Sequence, residues 1–238
     1  MRDAGVLGAT TLKLAGEMVK PGVSLNEIDQ FVYDYTIKNN AIPAPLNYHG
    51  FPKSVCTSVN EVVTHGIPDD YVLKEGDIIN IDVTSKLKGY HGDTSRTYLV
   101  GNCSEEARDI TKAAFDCMWE GIRAIENGGY YGDIGNAIQG LADELGYSVV
   151  QDYCGHGIGR GFHEDPHVLH YRSGQKGDLI KPGHCFTIEP MINAGTHKVI
   201  TLEDEWTVVT ADGEISAQFE HTMGFTDNGL EIFTLLDK

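Results

Sequence analysis

The second half of this 238-residue chain repeats the first at an offset of 106 or 107 residues, and no other sequence feature constrains its fold as tightly. At 106, Gly22 meets Gly128, Glu27 meets Asp133 and Ile28 meets Ile134. At 107, the run Leu73 to Asp82 lies over Ile180 to Glu189, and His49-Gly50 lies over His156-Gly157. The matches keep the same order along the chain. They imply a duplicated helix-helix-strands unit, with halves of about 1–103 and 104–238 inside one domain spanning 1–238. A site on the axis between such halves draws side chains from both, and Asp82 and Glu189 occupy matching places.

Local patterning gives the unit its elements. Residues 2–19 put Ala4, Leu7, Thr11, Leu14 and Met18 on one helical face, and Pro21-Gly22 ends that helix. Ser24 to Glu27 spells a capping box, which predicts a second helix with Ile28, Phe31, Val32 and Tyr35 inward. Strand-like runs follow at 54–59, 78–83 and 96–100. The plan then returns: a long helix from Ser104 to about Asn127, and a shorter one with Ile134, Ile138, Leu141 and Leu145 on one face. Strand-like runs follow near 148–150, 185–189, 197–201, 206–210, 216–223 and 231–235.

Thirty-five acidic against 18 basic residues give a net charge of −17. That balance argues against DNA binding or a broad anionic-membrane surface, both of which need clustered Lys and Arg. The five cysteines are odd in number, and no two are spaced as CxxC, so the sequence reads as a reduced, cytoplasmic protein without a disulfide frame or zinc ribbon. The N-terminal stretch carries Arg2, Asp3, Lys13 and Glu17, unlike a signal peptide or membrane span.

Four carboxylates stand in hydrophobic, strand-like surroundings. Asp82 lies in Ile79 to Val83, and Asp93 follows a turn-like Ser85 to Gly89. A turn centred near 87 and 88 places the two acids opposite each other, with Cβ atoms about 5 Å apart. Carboxylates that close repel unless protonated or bridged by a cation. Glu189 ends an apolar strand, and Glu220 sits in a second one, Ser216 to Thr222. A lone glutamate in such a place reads better as an edge carboxylate facing water, but four acids in four hydrophobic strands are less easily explained that way. His156 and His163 flank glycines at 157, 159 and 161, a spacing that suits an extended segment open to close approach and does not match GxGxxG. His65 stands at a strand-to-turn junction. Four carboxylates and one imidazole form a hard donor set suited to Mn, Fe(II), Co or Zn, with enough charge for two divalent ions.

On these residues the chain resembles the type I methionine aminopeptidases over about residues 2–235. The resemblance rests on Asn47 to Ser58, Asn60 to Pro68, Asp77 to Ser95, Gly155 to Pro166, Phe186 to Gly195 and Gln218 to Thr222. It implies an α+β, pita-bread fold, with two pseudo-symmetric helix-helix-strand halves around a central antiparallel sheet. It implies Asp82, Asp93, His156, Glu189 and Glu220 as ligands of two divalent ions, Asp93 and Glu220 bridging both. His65, His163 and Glu189 become catalytic residues, and His65, His163, Tyr48, Phe51, Cys56, Phe162 and Trp206 substrate contacts. The implied reaction removes the initiator methionine of nascent polypeptides by attack of a metal-bound hydroxide on the first peptide carbonyl. The implied protein is a cytoplasmic monomer, working near the ribosomal exit tunnel. Pro45 departs from the family's pocket wall, and the hairpin 194–213 carries Glu203, Asp204, Glu205 and Asp212 where bacterial relatives use a basic ribosome-docking loop. Two alternatives stay open: an X-Pro peptidase of the same fold, and a non-catalytic binding protein on this scaffold. The 25 residues between His163 and Glu189 leave no room for the helical insertion of type II enzymes.

Overall fold

The computed structural model describes residues 1–236. Two helix pairs form where the sequence places them: α1 (Arg2–Gly16) and α2 (Leu25–Lys38), then α3 (Glu105–Ala124) and α4 (Tyr131–Leu145). Their starts follow from capping. The Ser24 Oγ accepts the Glu27 N–H at 3.3 Å while Glu27 Oε2 accepts the Ser24 N–H at 2.8 Å, closing the capping box. Ser104 Oγ caps α3 by accepting the Ala107 N–H at 3.1 Å. Gly146, at φ 80°, stops α4 in the left-handed conformation that glycine adopts without a Cβ clash.

The face that α1 buries differs from the expected one. Ala4, Leu7 and Thr11 are buried, but so are Gly5, Gly8, Leu12 and Ala15, while Leu14 and Met18 are only half-buried. The cause is a very close approach to the strand Tyr90–Leu99: a Cβ on Gly8 would come 2.9 Å from the carbonyl oxygen of Gly92. Backbone-to-backbone packing of this kind buries more of the helix circumference than a single apolar stripe. On α4, Ile134 and Ile138 are buried, whereas Leu145 is exposed.

Among the described residues every strand pairing is antiparallel. In the first half Ile78–Leu87 is central, with Tyr90–Leu99 on one side and Cys56–Val59 and Ile42–Pro43 on the other. In the second half five strands run in the order Gly229–Ile232, His221–Thr226, Cys185–Ile188, Gly155–Gly157, Glu164–Val168. Two three-stranded sheets complete the set. One holds Ser216–Gln218, Met191–Asn193 and Ser148–Val149, and the other Val199–Thr201, Val208–Thr210 and Val62–Thr64. The glycine run is extended only over 155–157; residues 158–163 form a loop.

Each helix pair covers its own core. Leu12, Ile28 and Val32 pack on Ile79, Ile81 and Val83 in one half. Ile110, Met118, Ile134 and Ile138 pack on Phe186, Ile188 and Phe219 in the other. The halves meet along a polar seam. Arg96 bridges Phe219, the Glu220 N–H donates to the Ser95 carbonyl at 3.0 Å, and Thr97 Oγ1 both donates to the Gln218 carbonyl and accepts its N–H. Among the described residues no helix is long and apolar enough to cross a membrane.

Candidate metal centre

The hairpin that carries the two aspartates turns one residue later than expected. Leu87 pairs with Tyr90, and Lys88 and Gly89 occupy the loop at φ 52° and 82°. Two successive left-handed residues make the tight hairpin loop that matches strand twist. Asp82 therefore faces Ser95, and Asp93 faces Thr84. The expected direct opposition of Asp82 and Asp93 is corrected to a diagonal on the same sheet face, still within reach for side chains.

The other candidates converge on this face from across the seam. His156 is the middle residue of Gly155–Gly157, Glu189 directly follows Cys185–Ile188, and Glu220 lies between Ser216–Gln218 and His221–Thr226. Both glutamates thus sit at strand ends and not within strands. One ligand atom each from Asp93, His156 and Glu220 lie within 4.8 Å of one another. The His156 Nε2 is 3.6 Å from Asp93 Oδ2 and 3.5 Å from Glu189 Oε1. Thr84 Oγ1 donates to Asp93 Oδ1 at 2.6 Å, and the Asp93 N–H donates to Thr222 Oγ1 at 3.0 Å.

Electrostatics mark the cluster as a place for cations. Burial, and then the negative charge of Asp93, hold Asp82 well above the ordinary aspartate range. Burial followed by Asp93, Glu189 and Asp82 does the same to Glu220. Burial pushes Glu189 up to about 7 against the pull of His156. For His156, burial acts downward, but the hydrogen bond to Asp93 and the charges of Glu189 and Asp93 outweigh it, raising the imidazole to about 9. Asp82 Oδ1 and Glu220 Oε1 are buried without any hydrogen-bond partner. Orphaned carboxylate oxygens turned toward further carboxylates are costly in protein alone and fit divalent cations, which satisfy lone pairs and cancel the repulsion.

A cavity of about 700 Å³ opens beside the cluster, lined by His65, Tyr153, Cys154, His163, Glu189 and Met191 among others. His163 Nδ1 lies 2.8 Å from the Tyr48 hydroxyl, and Tyr48 packs on Phe162 at 4.8 Å between ring centroids. His65 stands edge-on to Tyr153 at 5.5 Å and to Trp206 at 6.2 Å, and Trp206 meets Phe51 at 5.2 Å. Burial lowers both His65 and His163 to about 4, so both imidazoles are neutral near pH 7. Phe51 and Cys56 are buried, and Cys56 pairs across the strands with Asp82. The structure thus places the five candidate ligands near one another with His65 and His163 beside them, whereas Tyr48, Phe51, Cys56, Phe162 and Trp206 lie outside the residues that line this cavity, Tyr48 and Phe162 against His163 and Trp206 against His65. Missed were Tyr153, Cys154 and Met191 on the cavity wall, and Thr187, His170 and Gln218 behind Glu189. The adjacency of Tyr153 and Cys154 to His156 was the available signal for the first two.

This geometry agrees with what the chain is related to. Residues 1–227 match metallopeptidase family M24. The chain belongs to that family of metal-dependent hydrolases, which use divalent metal cofactors, and it has the pita-bread fold. Within the family it is similar along its length to methionine aminopeptidases. It is 52% identical to that of Rickettsia prowazekii, over 100% of this chain and 92% of the relative. The crystal structure of methionine aminopeptidase from R. prowazekii superposes with a TM-score of 0.96, covering 98% of this chain and 95% of that one. The Escherichia coli methionine aminopeptidase is 50% identical over 99% of this chain and 90% of its own length. A prolidase from Pyrococcus furiosus shares the fold at 21% identity, with a TM-score of 0.75 over 100% of this chain and 63% of that one.

Proposed function

We infer that the protein is an aminopeptidase that hydrolyses the N-terminal methionine from nascent proteins and peptides in the cytoplasm. The observation that carries this reading is the buried cluster of four carboxylates and one imidazole. Two of its carboxylate oxygens lack any partner, and it opens onto a cavity flanked by two neutral histidines and aromatic rings. The full-length similarity to methionine aminopeptidases supports it.

Asp82, Asp93, His156, Glu189 and Glu220 would hold two divalent ions. An oxygen-rich set with one imidazole accepts Mn, Fe(II), Co or Zn. Bound there, the ions supply Lewis acidity that activates water and offsets negative charge developing on a peptide carbonyl. The chain's own groups do the rest. With the Tyr48 hydroxyl donating to Nδ1, His163 keeps its proton on Nε2 and offers it to the carbonyl oxygen of the scissile bond. Glu189 would carry a proton from the attacking water toward the leaving amine. His65 contacts the peptide from the opposite wall. Tyr48, Phe51, Cys56, Phe162 and Trp206 surround an apolar thioether side chain, which packs well against aromatic rings.

Nascent polypeptide N-termini are the partners this reading requires, with a monomer acting near the ribosomal exit. The acidic hairpin 194–213 gives such docking a different charge from a basic loop. The test is hydrolysis of a Met-Ala peptide and an X-Pro peptide by protein titrated with Mn, Fe(II), Co and Zn. Strict metal dependence with preference for Met-Ala is expected. Faster cleavage of X-Pro assigns the prolidase activity instead, and a metal-loaded protein inert on both assigns a binding role.

A further inference from the structure

We propose that Thr187 is a positioning residue that locks His156 and Glu189 into one ligating geometry. The proposal rests on the reading that these two side chains hold a divalent cation. Thr187 is fully buried on the strand Cys185–Ile188. Its Oγ1 accepts the backbone N–H of His156 at 3.0 Å and donates to Glu189 Oε1 at 2.6 Å. The amide N–H can only donate, so Thr187 Oγ1 accepts there, and its one proton remains for the Glu189 carboxylate whenever that group is ionised, as a metal ligand must be. The Thr187 proton goes to Glu189, and Oε1 is held as an acceptor. That same oxygen is the one 3.5 Å from His156 Nε2. One atom thus fixes the strand that carries the imidazole and the carboxylate oxygen that faces it.

The surroundings leave this hydroxyl little freedom. Threonine is branched at Cβ and stiff at χ1. Glu189 is tied at two more points. Its N–H donates to His170 Nε2 at 3.2 Å, and its carbonyl accepts from Gln218 Nε2 at 3.2 Å. Gly155 makes the close approach possible. A Cβ there would sit 2.5 Å from the Thr187 carbonyl oxygen and 3.1 Å from Thr187 Oγ1, forcing apart the two strands that the His156 N–H spans. On the other side Thr187 pairs with Thr222, whose hydroxyl accepts the Asp93 N–H and donates to the Asp93 carbonyl. Two facing threonines therefore underlie three of the candidate ligands. Groups that orient ligands in this way typically change metal affinity by about 10- to 100-fold when removed.

The experiment measures Mn²⁺ retention by the full-length, Mn-loaded protein in nitrilotriacetate-buffered Mn²⁺. Thr187→Val is expected to weaken retention about tenfold, and Thr187→Ser, which keeps the hydroxyl, to restore it. Gly155→Ala is expected to behave like Thr187→Val. Should the valine variant not fold, by near-ultraviolet circular dichroism, Thr187→Ala replaces it. His156→Ala in the same assay separates two failures. If His156→Ala retains Mn²⁺ like the wild type, the ligand reading itself is wrong. If His156→Ala loses Mn²⁺ while Thr187→Val or Thr187→Ala keeps it, only the role of Thr187 is overturned. A Thr187→Ser variant as weak as Thr187→Val overturns it too.

Discussion

Asp82 and Glu189 occupy corresponding places in the two halves of the repeat, and their surroundings could hardly differ more. Asp82 stands in the middle of a strand, with Oδ1 buried and unpartnered. Glu189 stands just past a strand end, held through both its backbone and its carboxylate by Thr187, His170 and Gln218. The equivalent of Thr187 at the 107-residue offset is Asn80, whose amide crosses the seam to the Gln218 carbonyl at 2.8 Å and gives Asp82 nothing. One half contributes bare charge and the other contributes arranged donors. A duplicated scaffold can thus supply two carboxylates at equivalent points and still give them separate work, because hydrogen-bond partners are set by the neighbours and not by the strand.

The sharpest way to break this comparison is to remove the arranged side. Glu189→Ala is expected to lower kcat by about 10³-fold on a Met-Ala peptide, and chelation of the metal to abolish turnover. A variant with kcat near wild type would deny Glu189 any special place. His163→Ala is expected to cost less, about 10²-fold in kcat, since it removes one donor to a carbonyl that other groups also polarise.

Stability sharpens the comparison further. In metal-free protein the folded-state pKa of Asp82, Glu220 and Glu189 lies above the unfolded value. Between the ordinary carboxylate range and about 7 the folded state therefore binds more protons, and stability falls as pH rises through that window. Melting temperature measured against pH should show this decline without metal and lose most of it with Mn²⁺ bound. Asp82→Asn should raise the metal-free melting temperature near pH 7 by removing an uncompensated buried charge, while weakening metal retention. The smallest expected effect belongs to His170. Burial lowers it to about 3, so the unfolded chain gains a proton below about 6.5 that the folded protein refuses. Its contribution is present above that pH and lost as pH falls, opposing the carboxylates, so His170→Gln should steepen the rise in metal-free melting temperature from pH 7 to pH 5.

Much of this was legible in the amino-acid order. The helix starts followed from Ser24 and Ser104, and the five candidate ligands stood out because charged residues interrupt apolar, strand-like runs. The register of Asp82 and Asp93 was not legible. Lys88 and Gly89 had to be recognised together as the left-handed pair, and lysine is not a residue that announces such a conformation. Thr187 and Gln218 were invisible for another reason. Threonine and glutamine are ordinary in strands, and what sets them apart is hydrogen bonding that only folding creates, from the His156 N–H to Thr187 and from the Gln218 amide to Glu189. The same holds for Tyr153 and Met191, whose apolar surfaces read as core until the cavity beside them is seen.

The seam between the halves has a consequence for synthesis. Asp82 and Asp93 leave the ribosome well before Glu220, and Phe219 beside it bridges Arg96 of the first half. The growing chain therefore carries its aspartates as an unfinished vessel, whose far wall arrives only when Glu220 has emerged as well.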